Sequence, residues 1–186
     1  SPTAPQAGAT VAGGTAITVT WSTDATSPHR VNLEYRCGPA PALRFLVAAQ
    51  LPPTPGSASW TVPFANATSC QVFATVVTGA GTPTPVSGAS GTFAIDSQPP
   101  ALVGAPAAVA TAGAVTLTWA NPPDSDFSLV RIYRATSGAL PQLVGTRLKT
   151  DAPPDRYVDQ AVVPGQRYRY YLATVDVLGN AQESLR

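Results

Sequence analysis

The chain has 186 residues, of which 20 are proline, 15 glycine and only 11% charged, with a formal net charge of +1. A hydrophobic share of 44% excludes a disordered tail, which needs low hydrophobicity and high net charge. The near-zero charge supplies no field for steering nucleic acid, and no run nears the ~18 to 20 apolar residues that span a bilayer, so neither nucleic-acid binding nor membrane insertion is expected.

In chain order, SPTAPQAG at residues 1–8 reads as a linker, followed by short alternating runs. ITVTW (17–21) places Ile17, Val19 and Trp21 on one face and Thr18 and Thr20 on the other, the strand period of two. VNLEYR (31–36), the stretch holding Trp60 and Val62, CQVFATVV (70–77) and GTFAID (91–96) continue the pattern to the end of a first domain, 9–96. SQPPALVG at 97–104 reads as a second linker. Beyond it, 105–186 repeats the same material: VTLTW (115–119), VRIYR (130–134) and YRYYLATVD (168–176). Trp21 and Trp119 lie 98 residues apart, the mark of two related β-domains in series. No apolar i, i+3, i+4 pattern lasts the ~10 to 12 residues a stable helix needs. The expected fold is all-β, two antiparallel sandwiches in tandem. The absence of methionine leads to the expectation of an excised or processed piece rather than a complete translation product.

Residues 114–184 resemble a fibronectin type III domain, with AVTLTW as strand B, SLVRIYRA as strand C and VVPGQRYRYYLATVDVLGNAQES as the F and G region. Pro164 to Tyr168 matches that family's tyrosine corner, in which a tyrosine hydroxyl ties strand F to the preceding loop. Residues 15–95 resemble the Ig-like modules of bacterial extracellular proteins, on ITVTWSTD, SASWTVP and GTFAID. The resemblance implies that strands C and F are antiparallel neighbours, which sets Cys37 at the end of C beside Cys70 at the start of F. A Cys37–Cys70 disulfide and a pair of buried thiols are the two readings this leaves. An extracellular or cell-surface location is implied too.

Chemistry is sparse. His29 is the only histidine, sits in the loop TSPHRV, and no GxSxG elbow accompanies it. One histidine and two cysteines leave no metal-ligand spacing, so neither a metal nor another cofactor is expected. Asp124, Asp126 and Asp176 fall in turns, where a calcium loop would need the D-x-[DN]-x-[DN]-G spacing they lack and where Asp ordinarily caps its own backbone. Strand alternation sends Tyr168, Tyr170 and Leu172 inward and Arg167, Arg169 and Tyr171 outward. With Arg131 and Tyr133 on strand C they form an Arg/Tyr patch, read either as ordinary surface packing or as a contact for a protein or a surface glycan. Asn66-Ala67-Thr68 fits an N-glycosylation acceptor, relevant to a chain from a secretory eukaryote.

Residues 1–96 carry six charged side chains and fifteen threonines, against fifteen charges in 97–186. The expectation is a non-enzymatic extracellular module that spaces, adheres or assembles, its partners being neighbouring domains, subunits or surface glycan. The alternative is an accessory or carbohydrate-binding region of a secreted hydrolase, using Tyr133, Tyr171 or Trp60, although parity puts Trp60 in the core.

Overall fold

Alternating β-branched runs cannot bury both faces against water, so they pair into sheets and close their apolar faces on one another. In the computed structural model, which describes residues 1–40, 42–54 and 56–184, the chain is all-β and divides into two units, Ser1–Ser97 and Gln98–Arg186. Each is a sandwich of two sheets.

In the first unit, β1 (Thr10–Ala12), β2 (Ala16–Thr20), β3 (Arg30–Cys37) and β4 (Phe45–Leu51) are followed by β5 (Ser57–Thr61), β6 (Ala67–Val77), β7 (Pro83–Ala89) and β8 (Phe93–Asp96). β2 and β5 form one sheet; the other runs β1-β8-β6-β3-β4, with β7 also on β6. β1 lies parallel to β8, Val11 opposite Ile95. The expected parity governs the core: Val19, Trp21, Val31, Leu33, Trp60, Val62, Val72, Phe93 and Ile95 are buried together. Each such side chain contributes roughly 1.5–3 kcal/mol by leaving water.

In the second unit, β9 (Gly104–Thr111), β10 (Ala114–Ala120) and β13 (Arg156–Asp159) form the sheet β13-β10-β9. β11 (Phe127–Ala135), β12 (Gln142–Leu148), β14 (Arg169–Asp176) and β15 (Ala181–Glu183) form the sheet β12-β11-β14-β15. Leu117, Trp119, Phe127, Val130, Ile132 and Leu172 fill the space between the sheets, with Val103 at the margin.

The stretches expected as linkers are bonded into the units. Thr3 N–H donates to Thr20 O (2.9 Å) and Gly8 N–H to Thr92 O (2.8 Å), while Pro2 and Pro5 are buried. Proline rings bury apolar surface without leaving an unpaired N–H, so a proline-rich segment can lie on a sandwich as readily as it can join two. Ser97 is held in the first unit, its N–H on Asn66 Oδ1 (2.8 Å) and its hydroxyl on Ala65 O (3.0 Å). Pro100 and Ala101 are held in the second: Thr174 Oγ1 donates to Pro100 O (3.1 Å) and Ala101 N–H to Asp124 Oδ2 (3.2 Å). The F and G region is described as far as Ser184, whose N–H meets Leu172 O; Leu185 and Arg186 lie outside the described residues.

Candidate functional site

Strand register decides which candidate residues meet. β3 and β6 pair antiparallel from Arg30↔Val77 to Cys37↔Cys70, and the two cysteines are joined in a disulfide between these central strands. Of the two readings of the cysteines, the bonded one holds. Around it the first unit carries an aromatic column: Phe93 edge-on to Trp60, Trp60 tilted against Tyr35, and Tyr35 stacked on Phe45 with ring centroids 5.3 Å apart. Trp60 is buried, as parity required, whereas Phe45 is 53% exposed. An open cleft of about 470 Å³ lies beside this column, its lining including Tyr35, Trp60, Ser59 and Thr61.

The opposite face of the β3–β6 ladder holds a feature that alternation misses. Phe73 points away from the core and is still 6% exposed, because Arg44 (3.7 Å from the ring centroid to Cζ) and Arg36 (5.1 Å) lie over it. Arg44 also pairs with Glu34 at 3.5 Å, so two of the unit's few charges shield one aromatic ring and a third pairs with one of them.

In the second unit, the Arg/Tyr patch is partly assembled. Tyr133 and Tyr171 are direct register partners across β11 and β14, Arg131 pairs with Ala173, and Arg169 pairs with Ala135. That parity leaves Arg131, Tyr133, Tyr171 and Arg169 on one face, the tyrosines half-buried and Arg169 exposed. Arg167 is exposed but precedes β14 and belongs to no strand. Arginine–tyrosine stacking occurs elsewhere, with Arg134 over Tyr168 (5.0 Å) and Arg147 over Tyr157 (5.9 Å). Tyr168 completes the expected corner, its hydroxyl accepting from Val163 N–H at 3.0 Å.

Behind that corner is a buried polar network the sequence did not announce. Arg134 donates to both carboxylate oxygens of Asp159 (3.1 and 2.9 Å) and to Ala161 O (2.6 Å). Tyr170 donates its hydroxyl to Asp159 Oδ2 (2.8 Å), and Ala161 N–H donates to Oδ1 (2.9 Å). Asp159 is 2% exposed, so its charge depends on these partners. Burial first, then the bond to Asp159 and its charge, push the Tyr170 phenol well above the usual tyrosine range. Burial, followed by the Asp159 charge, raises Tyr157 as well. An Arg, Asp and Tyr separated by 25 and 11 residues give no local motif, which is why only the folded chain reveals them.

Other candidates are occupied structurally. Asp176 Oδ1 accepts from the N–H groups of Leu178 and Asn180, both at 2.8 Å, and so caps the turn after β14. His29 Nδ1 lies 3.1 Å from Thr26 O. The second unit also has a groove of about 460 Å³ between β9 and β14, lined by Pro106, Ala108, Leu117, Tyr168, Tyr170 and Leu172 among others.

Comparison with known proteins agrees with this architecture. Residues 4–95 match the family described as the Kre9/KNH-like N-terminal Ig-like domain. Across 96% of its length the chain superposes on 68% of a solved structure, the chicken CNTN1 FN1-FN3 domains, with a TM-score of 0.51 at 12% identity, a likeness of fold. A cytokine receptor complex is also similar over 94% of this chain and 88% of its own, at 16% identity and a TM-score of 0.35. No curated protein matches. The chain thus has the fold of Ig-like and fibronectin type III-like sandwiches in tandem, and its first unit is similar to the Kre9/KNH-like N-terminal Ig-like domain.

Proposed function

We propose that this chain is a non-catalytic extracellular structural module, spacing or attaching other parts of a cell-surface assembly. The Cys37–Cys70 disulfide carries this reading. It links the two central strands of the first sandwich, and such bonds persist in oxidising compartments. A covalent tie between neighbouring strands keeps them together when the ladder is pulled, which suits a spacer. The Kre9/KNH-type match and the sandwich fold support the same reading.

The partner-facing surface in this proposal is the Arg131, Tyr133, Arg169 and Tyr171 face, with Arg167 at its margin. Tyrosine and arginine supply large contact area with hydrogen-bonding ends, for a protein or a surface glycan. A carbohydrate-binding accessory role is the second reading, favoured by the uncharged cleft beside Tyr35 and by the exposed stacked ring of Phe45.

Protease shaving of intact producer cells tests location, with alkylation before lysis reporting the thiols. The expected result is release of the chain with Cys37 and Cys70 unreactive. A protected, fully alkylated protein would overturn the proposal. Loss of retention on cell-envelope material in Tyr133→Ala and Tyr171→Ala, with unchanged melting, would assign the patch; retention equal to the parent would remove it.

A further inference from the structure

The first strand of the second unit is exposed along its whole length. β9 ends its sheet beside β10, and all eight of its residues, GAPAAVAT, are exposed. No charged residue occurs between Asp96 and Asp124. Edge strands present unpaired N–H and C=O groups and are usually blunted by charge, proline or a bulge. Here the guard covers only the first half. Pro106, the positive φ of 43° at Ala105 and the register shift between Thr118 and Ala120 disturb Gly104–Pro106. Ala107 to Thr111 then pair without interruption with Thr118 to Ala114.

Register fixes which groups face out. Thr111 and Ala114 close a two-residue turn at Ala112-Gly113, so Thr111, Val109 and Ala107 exchange hydrogen bonds with β10. Ala108 and Ala110 therefore turn their N–H and C=O groups toward solvent.

We propose that this edge pairs antiparallel with the same edge of a second copy, the two-fold axis passing beside Val109. Ala108 then stands opposite Ala110 of the partner subunit, and the reverse, giving four main-chain hydrogen bonds. Val109, 62% exposed, meets its symmetry mate at the axis. The segment is complementary to itself in this register: it brings only methyl, isopropyl and hydroxyl groups together and sets no charge against a like charge. Self-complementarity about an axis is what an isologous dimer requires, and it selects a second copy over an unrelated strand. A five-residue ribbon buries far less than the roughly 1,200 Å² of a stable interface. The contact is accordingly weak alone and effective where copies are held close together, as on a surface. This rests on the reading of the chain as a structural module and names its partner.

Sedimentation equilibrium of the two-unit chain, up to about 1 mM, tests it. The parent chain dimerises reversibly as concentration rises. Ala108→Pro and Ala110→Pro lose only outward N–H groups, a position an edge strand tolerates, so they keep the parent's melting temperature and associate at least tenfold more weakly. Under oxidation, Val109→Cys gives a linked dimer, whereas Leu140→Cys, at a still more exposed position elsewhere, does not. A parent monomeric throughout, or proline and cysteine variants behaving like the parent and Leu140→Cys respectively, overturns the edge pairing. Shaving of intact cells is unaffected by that outcome, so failure here leaves the proposed location standing.

Discussion

Tyr133 and Tyr171 lie directly opposite each other across β11 and β14, although they are 38 residues apart in the chain. Their pairing puts two half-buried aromatic rings on the outer face of a sheet whose other face is core. The same register sends Tyr170 the other way, to Asp159. One strand thus divides its tyrosines between a surface and a buried network.

Removing the disulfide acts on the first unit. The cysteines close a span of 33 residues, and the chain-entropy relation assigns such a loop about 4 kcal/mol. Cys37→Ser with Cys70→Ser is expected to lower denaturant stability of the unit reported by Trp21 and Trp60 by a large part of that amount. Hydrogen exchange in the second unit stays at the parent level. A change below about 1 kcal/mol would show that the unfolded chain gains little freedom when the bond is absent.

Asp159→Asn leaves Arg134, whose side chain is 21% exposed, beside a neutral amide. Removing one partner of a fully buried ion pair costs about 3–5 kcal/mol, and the water that reaches Arg134 brings the expected loss below that range. Tyr170→Phe is expected to cost about 1–3 kcal/mol, since it removes a hydrogen bond to a charged acceptor. In a double-mutant cycle the two losses fall short of additivity; simple additivity would contradict a shared network.

Alkaline pH weakens the second unit. The folded-state values of Tyr170 and Tyr157 are raised above the ordinary 10.0, so the folded chain holds these protons more tightly than the unfolded chain does. Their contribution is complete below pH 10 and is lost as pH rises through the folded values. Absorbance at 295 nm should show a late-ionising tyrosine component, which Tyr170→Phe and Tyr157→Phe should each diminish. A titration curve unchanged by both substitutions above pH 10 would refute this.

Gly145 is required by a close approach. A methyl group there would overlap the ring edge of Tyr157 at Cε2, and the hydroxyl of that ring donates to Val144 O. Gly145→Ala is expected to destabilise the second unit by about 1–3 kcal/mol, as overpacking does. Thermal melting measures it, and Tyr157→Ala in the same chain should relieve part of the added strain.

Much of the fold is legible locally. Ile17-Val19-Trp21 and Val115-Leu117-Trp119 alternate with threonine, and a period of two fixes both strand and face. β9 escaped because alanine and glycine carry no alternating contrast, and β4 because FLVAAQL reads as one apolar run. Proline content alone points to linkers at residues 1–8 and 97–104, while their placement depends on partners such as Thr20, Thr92 and Thr174, far away in sequence.

The amino-acid sequence by itself determined the strands of two β-sandwiches and their inward parity, because these depend on neighbours two residues apart, and the tyrosine corner at Tyr168 came with the resemblance to fibronectin type III domains. Only the tertiary structure decided the Arg134–Asp159–Tyr170 network, the two arginines over Phe73 and the open edge at Ala108 and Ala110. Those depend on strand register, which is fixed by the fit of whole sheets and is invisible to any single stretch of chain.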